Sequence, residues 1–202
     1  MKKLLRRDEP APAALPTLEG ERLTLRAPRP EDAADIFAYA QSPIVGPMAG
    51  WPPHKSMEDT QFVIDGFIAH GDVWVIVENA SDTVIGTLGL HRDAKRDVCD
   101  ARMIGYVLGE RWWGKGYAME ASRLALRYAF ETVGCPIVSI YHFPSNLQSK
   151  RVIEKMGYFF EGVLRLSVTL PDGSLTDELC YSMTRAEYSR LIVRKEAPLC
   201  RR

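Results

Sequence analysis

The 202 residues include 26 basic and 26 acidic side chains, 46% hydrophobic residues and zero formal net charge. That composition suits a folded domain with a sizeable core, and it leaves no global field to recruit nucleic acid or an anionic membrane. No stretch has the length and unbroken apolarity of a membrane span.

Residues 1–16 are charged and Pro/Ala-rich and are expected to form a mobile lead-in to a single domain over 17–194, with a tail over 195–202. The basic opening from Met1 to Arg7 runs into Asp8, Glu9 and Pro10 where a signal peptide needs its apolar segment, so export is not expected. Cys99, Cys135, Cys180 and Cys200 form no Cys-x-x-Cys pair and have no His at ligand spacing, which argues against a zinc site or a disulfide scaffold. The expected location is a reducing cytoplasm.

Alternation at Leu23-Thr24-Leu25 predicts a first strand over 18–25. Pro30, Glu31 and Asp32 open a helix carried by Ala33, Ile36, Phe37 and Ala40. Residues 42–53 hold four prolines and two glycines and read as a loop. Ser56-x-x-Asp59 resembles a capping box for a second helix, which ends at Gly71. Two strands follow over 73–78 and 83–91, joined by turn formers at 79–82, and a third covers 102–108. A long helix over 116–133 has a buried stripe of Ala121, Leu124, Ala125, Tyr128 and Ala129. A strand over 136–142 and a helix over 146–156 stopped by Gly157 come next. Two closing strands flank Pro171-Asp172-Gly173, and Thr184-x-x-Glu187 caps a last helix. Adjacent strands mixed with strand–helix crossovers imply a mixed α/β sheet with helices on both faces.

The chemistry concentrates at Gly109-Glu110-Arg111-Trp112-Trp113-Gly114-Lys115-Gly116-Tyr117-Ala118, a strand-to-helix loop. Glycines beside Lys115 permit close backbone approach, and the first amides of the helix lack internal partners, so the loop suits a phosphate or pyrophosphate. A dinucleotide fingerprint needs a third glycine where Met119 stands. A P-loop needs a Ser or Thr where Gly116 stands, which weakens a phosphoryl-transfer alternative.

Arg111-x-x-Gly114-x-Gly116 resembles the acetyl-CoA loop of the GNAT superfamily, and Asn146-x-x-Ser149 followed by Glu154-Lys155-Met156-Gly157-Tyr158 resembles its second signature. With the Ile104-Gly105-Tyr106 strand, the pattern is similar to the branch containing ribosomal-protein N-terminal acetyltransferases. The resemblance implies a mostly antiparallel central sheet with a splayed parallel strand pair. It also implies acetyl-CoA as co-substrate, no metal, and an amine acceptor, either a small molecule or a protein N-terminus.

The amides of Trp113, Gly114, Lys115, Gly116, Tyr117 and Ala118 would bind pyrophosphate, with Arg111 in the same motif. Tyr106, Val107 and Leu108 would pair with pantetheine, a backbone N–H near Val107 would polarise the acetyl carbonyl, and Asn146 would bond the arm. Many relatives carry a Tyr seven residues after the Asn; here that position is Ile153. Ser149 therefore becomes the candidate general acid, although its hydroxyl also suits a bond to helix backbone. His91 and His142 are the candidate bases, and Glu110 is expected to face the phosphates. Trp51 is a candidate for the acceptor mouth. A non-catalytic CoA-binding module is the alternative function. The chain is expected to be a monomer or homodimer, with Leu164, Leu166 and Val168 forming a sheet face or an interface.

Overall fold

Trp74 shows how the sheet is anchored. Its ring is fully buried on β3 (Val73–Glu78), its indole N–H donates to the Pro16 carbonyl at 2.8 Å, and Tyr128 meets it edge-on at 5.6 Å. The computed structural model describes residues 15–196; the basic opening and the last six residues of the tail lie outside these. Leu15, the first of the described residues, packs on the core.

The expected single strand over 18–25 is a tight hairpin of β1 (Leu18–Glu19) and β2 (Leu23–Arg26), in register Leu18↔Leu25. Gly20 makes the reversal. Its N–H donates to the Leu23 carbonyl at 2.8 Å, and a Cβ there would meet that same oxygen at 2.8 Å. A 3-10 turn at Pro30–Asp32 leads into α1 (Ala33–Ala40). α2 (Met57–His70) begins at the Ser56/Asp59 capping box and ends at Gly71, which has φ +66. β4 (Thr83–Arg92) and β5 (Arg102–Leu108) follow β3, each antiparallel to its predecessor.

α3 (Tyr117–Arg127) runs on as a π-helical turn over Tyr128–Val133, then β6 (Ile137–His142) and α4 (Leu147–Met156). β7 (Phe159–Thr169) and β8 (Leu175–Thr184) form the closing hairpin before α5 (Arg185–Glu196). Thr184 and Glu187 cap that helix reciprocally, as their spacing predicts.

The eight strands among the described residues lie in the order β1-β2-β3-β4-β5-β6-β8-β7, antiparallel except for β5 and β6. One core, with Trp74, Ile76, Ile85, Leu88 and Ile104, packs under the α3 stripe and under Ile153 and Met156 of α4. A second, with Val75, Val77 and Val84, packs under Ile36, Tyr39 and Ala40 of α1 and Ile64 of α2. Helices therefore cover both faces.

β5 and β6 pair only at Arg102↔Val138 and Met103↔Ser139. β5 continues to Leu108 and β6 to His142 without further pairing, so the sheet opens along 104–108. Among the described residues no helix is long and apolar enough to cross a membrane, and no group of three or more metal-ligating side chains is assembled. Leu164 and Leu166 are exposed on β7 at the sheet edge.

Candidate active site

The opening leads directly to the glycine loop. A cleft of about 550 Å³ is lined by Tyr106, Val107 and Leu108, by the loop at Trp113, Gly114, Gly116, Tyr117 and Ala118, and by Asn146 and Ser149 of the α4 start. Ten of the sequence-predicted residues thus share one wall.

Left-handed backbone shapes the loop: Gly114 has φ +72 and Gly116, the residue before α3, has φ +86. A Cβ at Gly114 would meet nothing within 4 Å, so conformation rather than space requires glycine there. The first helical bond is donated by Glu120 to the Gly116 carbonyl, leaving the amides of Tyr117, Ala118 and Met119 at the positive end of the helix dipole. The Trp113 amide is not among these free donors, because it already donates to the Glu110 carbonyl at 3.0 Å. The donor set expected from Trp113 onward therefore starts at Gly114.

Arg22, which the sequence reading did not single out, braces the loop. Its Nη1 donates to the Lys115 carbonyl at 2.9 Å, its Nε to Glu120 at 2.8 Å, and its guanidinium lies 4.7 Å from the Tyr117 ring centroid. The Tyr117 hydroxyl donates to Glu78, and this bond chiefly holds that carboxyl below its ordinary range. Glu110 does not face the phosphate loop as expected; its carboxylate accepts from the Ser42 hydroxyl. Arg111 is exposed, over the Trp112 ring at 5.0 Å, and Lys115 is exposed; neither lines the cleft.

On β5 the ladder fixes which amides reach the gap. Gly109 donates to Ile85 at 2.9 Å and Leu108 stands opposite Gly86. Alternation then turns the Val107 amide toward β4 and those of Tyr106 and Leu108 toward the opening. Of the amides near Val107, those of Tyr106 and Leu108 are therefore the ones that face the opening. The Leu108 carbonyl, on the open side, accepts from the Trp113 indole at 2.7 Å.

Across the opening, Asn146 caps α4 by accepting from the Ser149 amide at 3.0 Å and donates to the Met48 carbonyl at 3.2 Å. The Asn146 side chain is therefore engaged at both ends within the chain. The Met48 bond also draws the α1–α2 loop over the cleft, where Val45, Met48 and Ala49 join the lining. Trp51 packs on that loop itself: a Cβ at Gly46 would meet its ring at 2.6 Å. Gln148, Arg151, Val152 and Lys155 of α4 complete the wall; their helical spacing was visible in sequence, their direction was not.

The Ser149 hydroxyl meets the Tyr106 hydroxyl at 3.1 Å. Burial pushes the Tyr106 phenol up to about 12 despite the lowering effect of Ser149. Ile153, at the position where many relatives have Tyr, is fully buried in the core.

Neither histidine reaches the cleft lining. His91 stands opposite Met103, five residues along β5 from Leu108, and bonds Asp72 at 2.5 Å. His142 is 4% exposed; Nδ1 contacts the Phe143 carbonyl at 2.8 Å, the ring stacks on Tyr181, and burial lowers its pKa.

The family model described as acetyltransferase (GNAT) domain matches residues 22–158, spanning the open sheet, the glycine loop and the Asn146–Ser149 segment. The chain belongs to this family and is an N-acetyltransferase by class. It is 31% identical over 175 residues to uncharacterized N-acetyltransferase YoaA of Bacillus subtilis, covering 84% of this chain and 97% of that one. It is 28% identical over 86 residues to the ribosomal protein uS5-alanine N-acetyltransferase of Escherichia coli, a match over 43% of this chain and 44% of that enzyme. The crystal structure of the microcin C7 self-immunity acetyltransferase MccE, in complex with acetyl-CoA and AMP, superposes with TM-score 0.72 at 20% identity, covering 82% of this chain and 93% of that one.

Proposed function

We propose that this acetyltransferase moves the acetyl group of acetyl-CoA to a weakly basic primary amine, with a protein or peptide α-amine as the leading acceptor class. The observation that carries the reading is the unpaired edge of β5 opening straight into the free amides of the glycine loop, within one cleft. Pyrophosphate would lie on the amides from Gly114 to Ala118, and pantetheine along Tyr106 and Leu108 toward Ser149. The same two strand amides would receive the developing oxyanion, an arrangement that stabilises charge without reorganisation.

The composition of the lining supports this acceptor class. Its described residues include no His, Asp or Glu. An attacking amine must then lose its proton to solvent before attack. For a lysine side chain with pKa near 10.4, that costs about 4 kcal/mol at pH 7.4; for an α-amine near 8 it costs about 1 kcal/mol. A small amine of similarly low pKa meets the same condition. Attack occurs directly in a ternary complex: the described cysteines Cys135 and Cys180 are buried, Cys99 is exposed, and none lines the cleft.

CoA thiol release should be followed with acetyl-CoA against free-N-terminal peptides, Nα-blocked lysine peptides, polyamines and no acceptor. Turnover with the free α-amines is expected. Turnover confined to lysine side chains or polyamines would overturn the acceptor class, and silence from protein shown to bind acetyl-CoA would overturn catalysis through this cleft.

A further inference from the structure

The peptide unit joining Lys115 to Gly116 is trans, so its carbonyl oxygen and its N–H point in opposite directions. Arg22 Nη1 donates to that oxygen at 2.9 Å, and Arg22 lines a groove between the β1–β2 turn, α3 and α5 rather than the cleft. Gly116 lines both. The loop is thus a partition, with the Lys115 oxygen on the groove side and the Gly116 amide turned to the cleft.

Glycine does not select this orientation. Gly116 has φ +86 and ψ 0, the values of the third residue of a type II turn. Glycine takes positive and negative φ about equally readily, so it permits this conformation without preferring it. Turning the one peptide plane over carries Gly116 to negative φ, as in a type I turn, and puts the Lys115 oxygen into the cleft where an anion is to lie. The guanidinium opposes that change and is itself held in place. Its Nε and the Arg22 amide donate to the two oxygens of Glu120, each at 2.8 Å. Its carbon lies over the Tyr117 ring, 4.7 Å from the centroid, and Nη2 rests 3.4 Å from where a Gly116 Cβ would stand.

We infer that Arg22 is a positioning residue for acetyl-CoA: held by Glu120, it draws the Lys115 carbonyl out of the cleft and so aims the Gly116 amide at the pyrophosphate. The inference rests on the acetyl-CoA reading above. Arg22 does not line the cleft and acts through one peptide plane, so its effect belongs to the pyrophosphate and not to pantetheine. Glu120 gives the inference a sign. A carboxylate in the first turn of α3 repels a bound anion, so by charge alone its removal should tighten acetyl-CoA binding. As the group that holds Arg22, its removal should weaken that binding instead.

The test is calorimetric Kd for acetyl-CoA, for ADP, which carries a pyrophosphate without pantetheine, and for S-acetylpantetheine, which lacks the pyrophosphate, with thermal stability measured beside them. Arg22→Gln should weaken acetyl-CoA and ADP by the same factor, about tenfold, as for one lost hydrogen bond from a charged group, and leave S-acetylpantetheine within about twofold. Glu120→Gln keeps one of the two acceptor oxygens and should weaken acetyl-CoA about threefold. Unchanged acetyl-CoA binding in Arg22→Gln, or an equal loss for S-acetylpantetheine, overturns the inference while leaving the acetyl-CoA reading standing. Unchanged or tighter acetyl-CoA binding in Glu120→Gln does the same. An unsubstituted protein that does not bind acetyl-CoA overturns that reading and the inference with it. Should Arg22→Gln not fold, Glu120→Gln decides alone by the sign of its effect.

Discussion

Asn146 joins two segments through one side chain, its oxygen on the Ser149 amide and its nitrogen on the Met48 carbonyl. Removing an N-cap of this kind costs about 1 kcal/mol, which for a chain of this size lowers Tm by about 2–4 °C. Asn146→Ala should show that loss together with a severalfold rise in KM for acetyl-CoA, since Met48 is released from the cleft. Asn146→Asp keeps the cap acceptor and adds a charge favoured at a helix N-terminus, but cannot donate to Met48. It should recover the Tm and not the KM. Recovery of both by Asp would sink the tethering role, and scanning calorimetry beside steady-state kinetics decides it. At this scale the sequence pointed to what near neighbours set: the left-handed backbone of Gly114 and Gly116, and the Asn146 cap on the Ser149 amide. Arg22 reaches Lys115 across 93 positions and Tyr106 reaches Ser149 across 43, and no local spacing encodes such pairings. The direction of the Val107 amide was not legible, because ladder parity depends on the partner strand.

Helices ended where their caps predicted, because Ser56, Gly71, Gly157 and Thr184 carry the information locally. Strands were less legible. The break at Gly20 hides inside a run of acceptable strand residues, and the π-helical turn after Arg127 has no side-chain signature within the stripe. Two glycines separate conformational need from convenience at this scale. Gly66 lies within α2 and a Cβ there meets nothing within 4 Å. Gly66→Ala should therefore stabilise by about 0.5–1 kcal/mol through helix propensity and unfolded-state entropy, read as a higher Tm with kcat unchanged. Gly116 also has room, its nearest neighbour being Arg22 Nη2 at 3.4 Å, but its φ is +86. Gly116→Ala should cost about 1–2 kcal/mol for the left-handed conformation and raise acetyl-CoA KM, because any relaxation tilts the free amides. A Gly116→Ala enzyme as stable and as tight for acetyl-CoA as its parent would show that the loop needs no left-handed residue there.

Among the described residues the parallel β5–β6 pair lies inside the sheet, and the antiparallel ladders β4–β5 and β6–β8 hold it on either side. The fold also buries titratable groups, and this gives the whole molecule a pH profile of stability. Burial is the leading cause of the lowered pKa of both His54 and His142. A histidine whose folded pKa lies below its unfolded value, near 6.5, binds more protons when unfolded, so stability rises with pH across that window. The contribution is complete above about pH 7 and is lost as pH falls below 6.5. On the alkaline side Tyr106 and Tyr141 are each pushed up to about 12, with burial the leading cause. Their unfolded counterparts ionise near pH 10, so stability declines again beyond that point. Denaturant unfolding over pH 5.5–10.5 should give a plateau between about pH 7 and 9.5 with a fall on either side. His142→Phe keeps an aromatic ring against Tyr181 and removes the titrating group together with its partnerless buried Nε2. Its acid limb should be shallower than the parent's, whatever its absolute stability. A parent curve that is flat or rises between pH 7 and 5.5 would mean that neither histidine is held neutral by the fold, and an unchanged slope in His142→Phe would assign the acid limb to His54 alone.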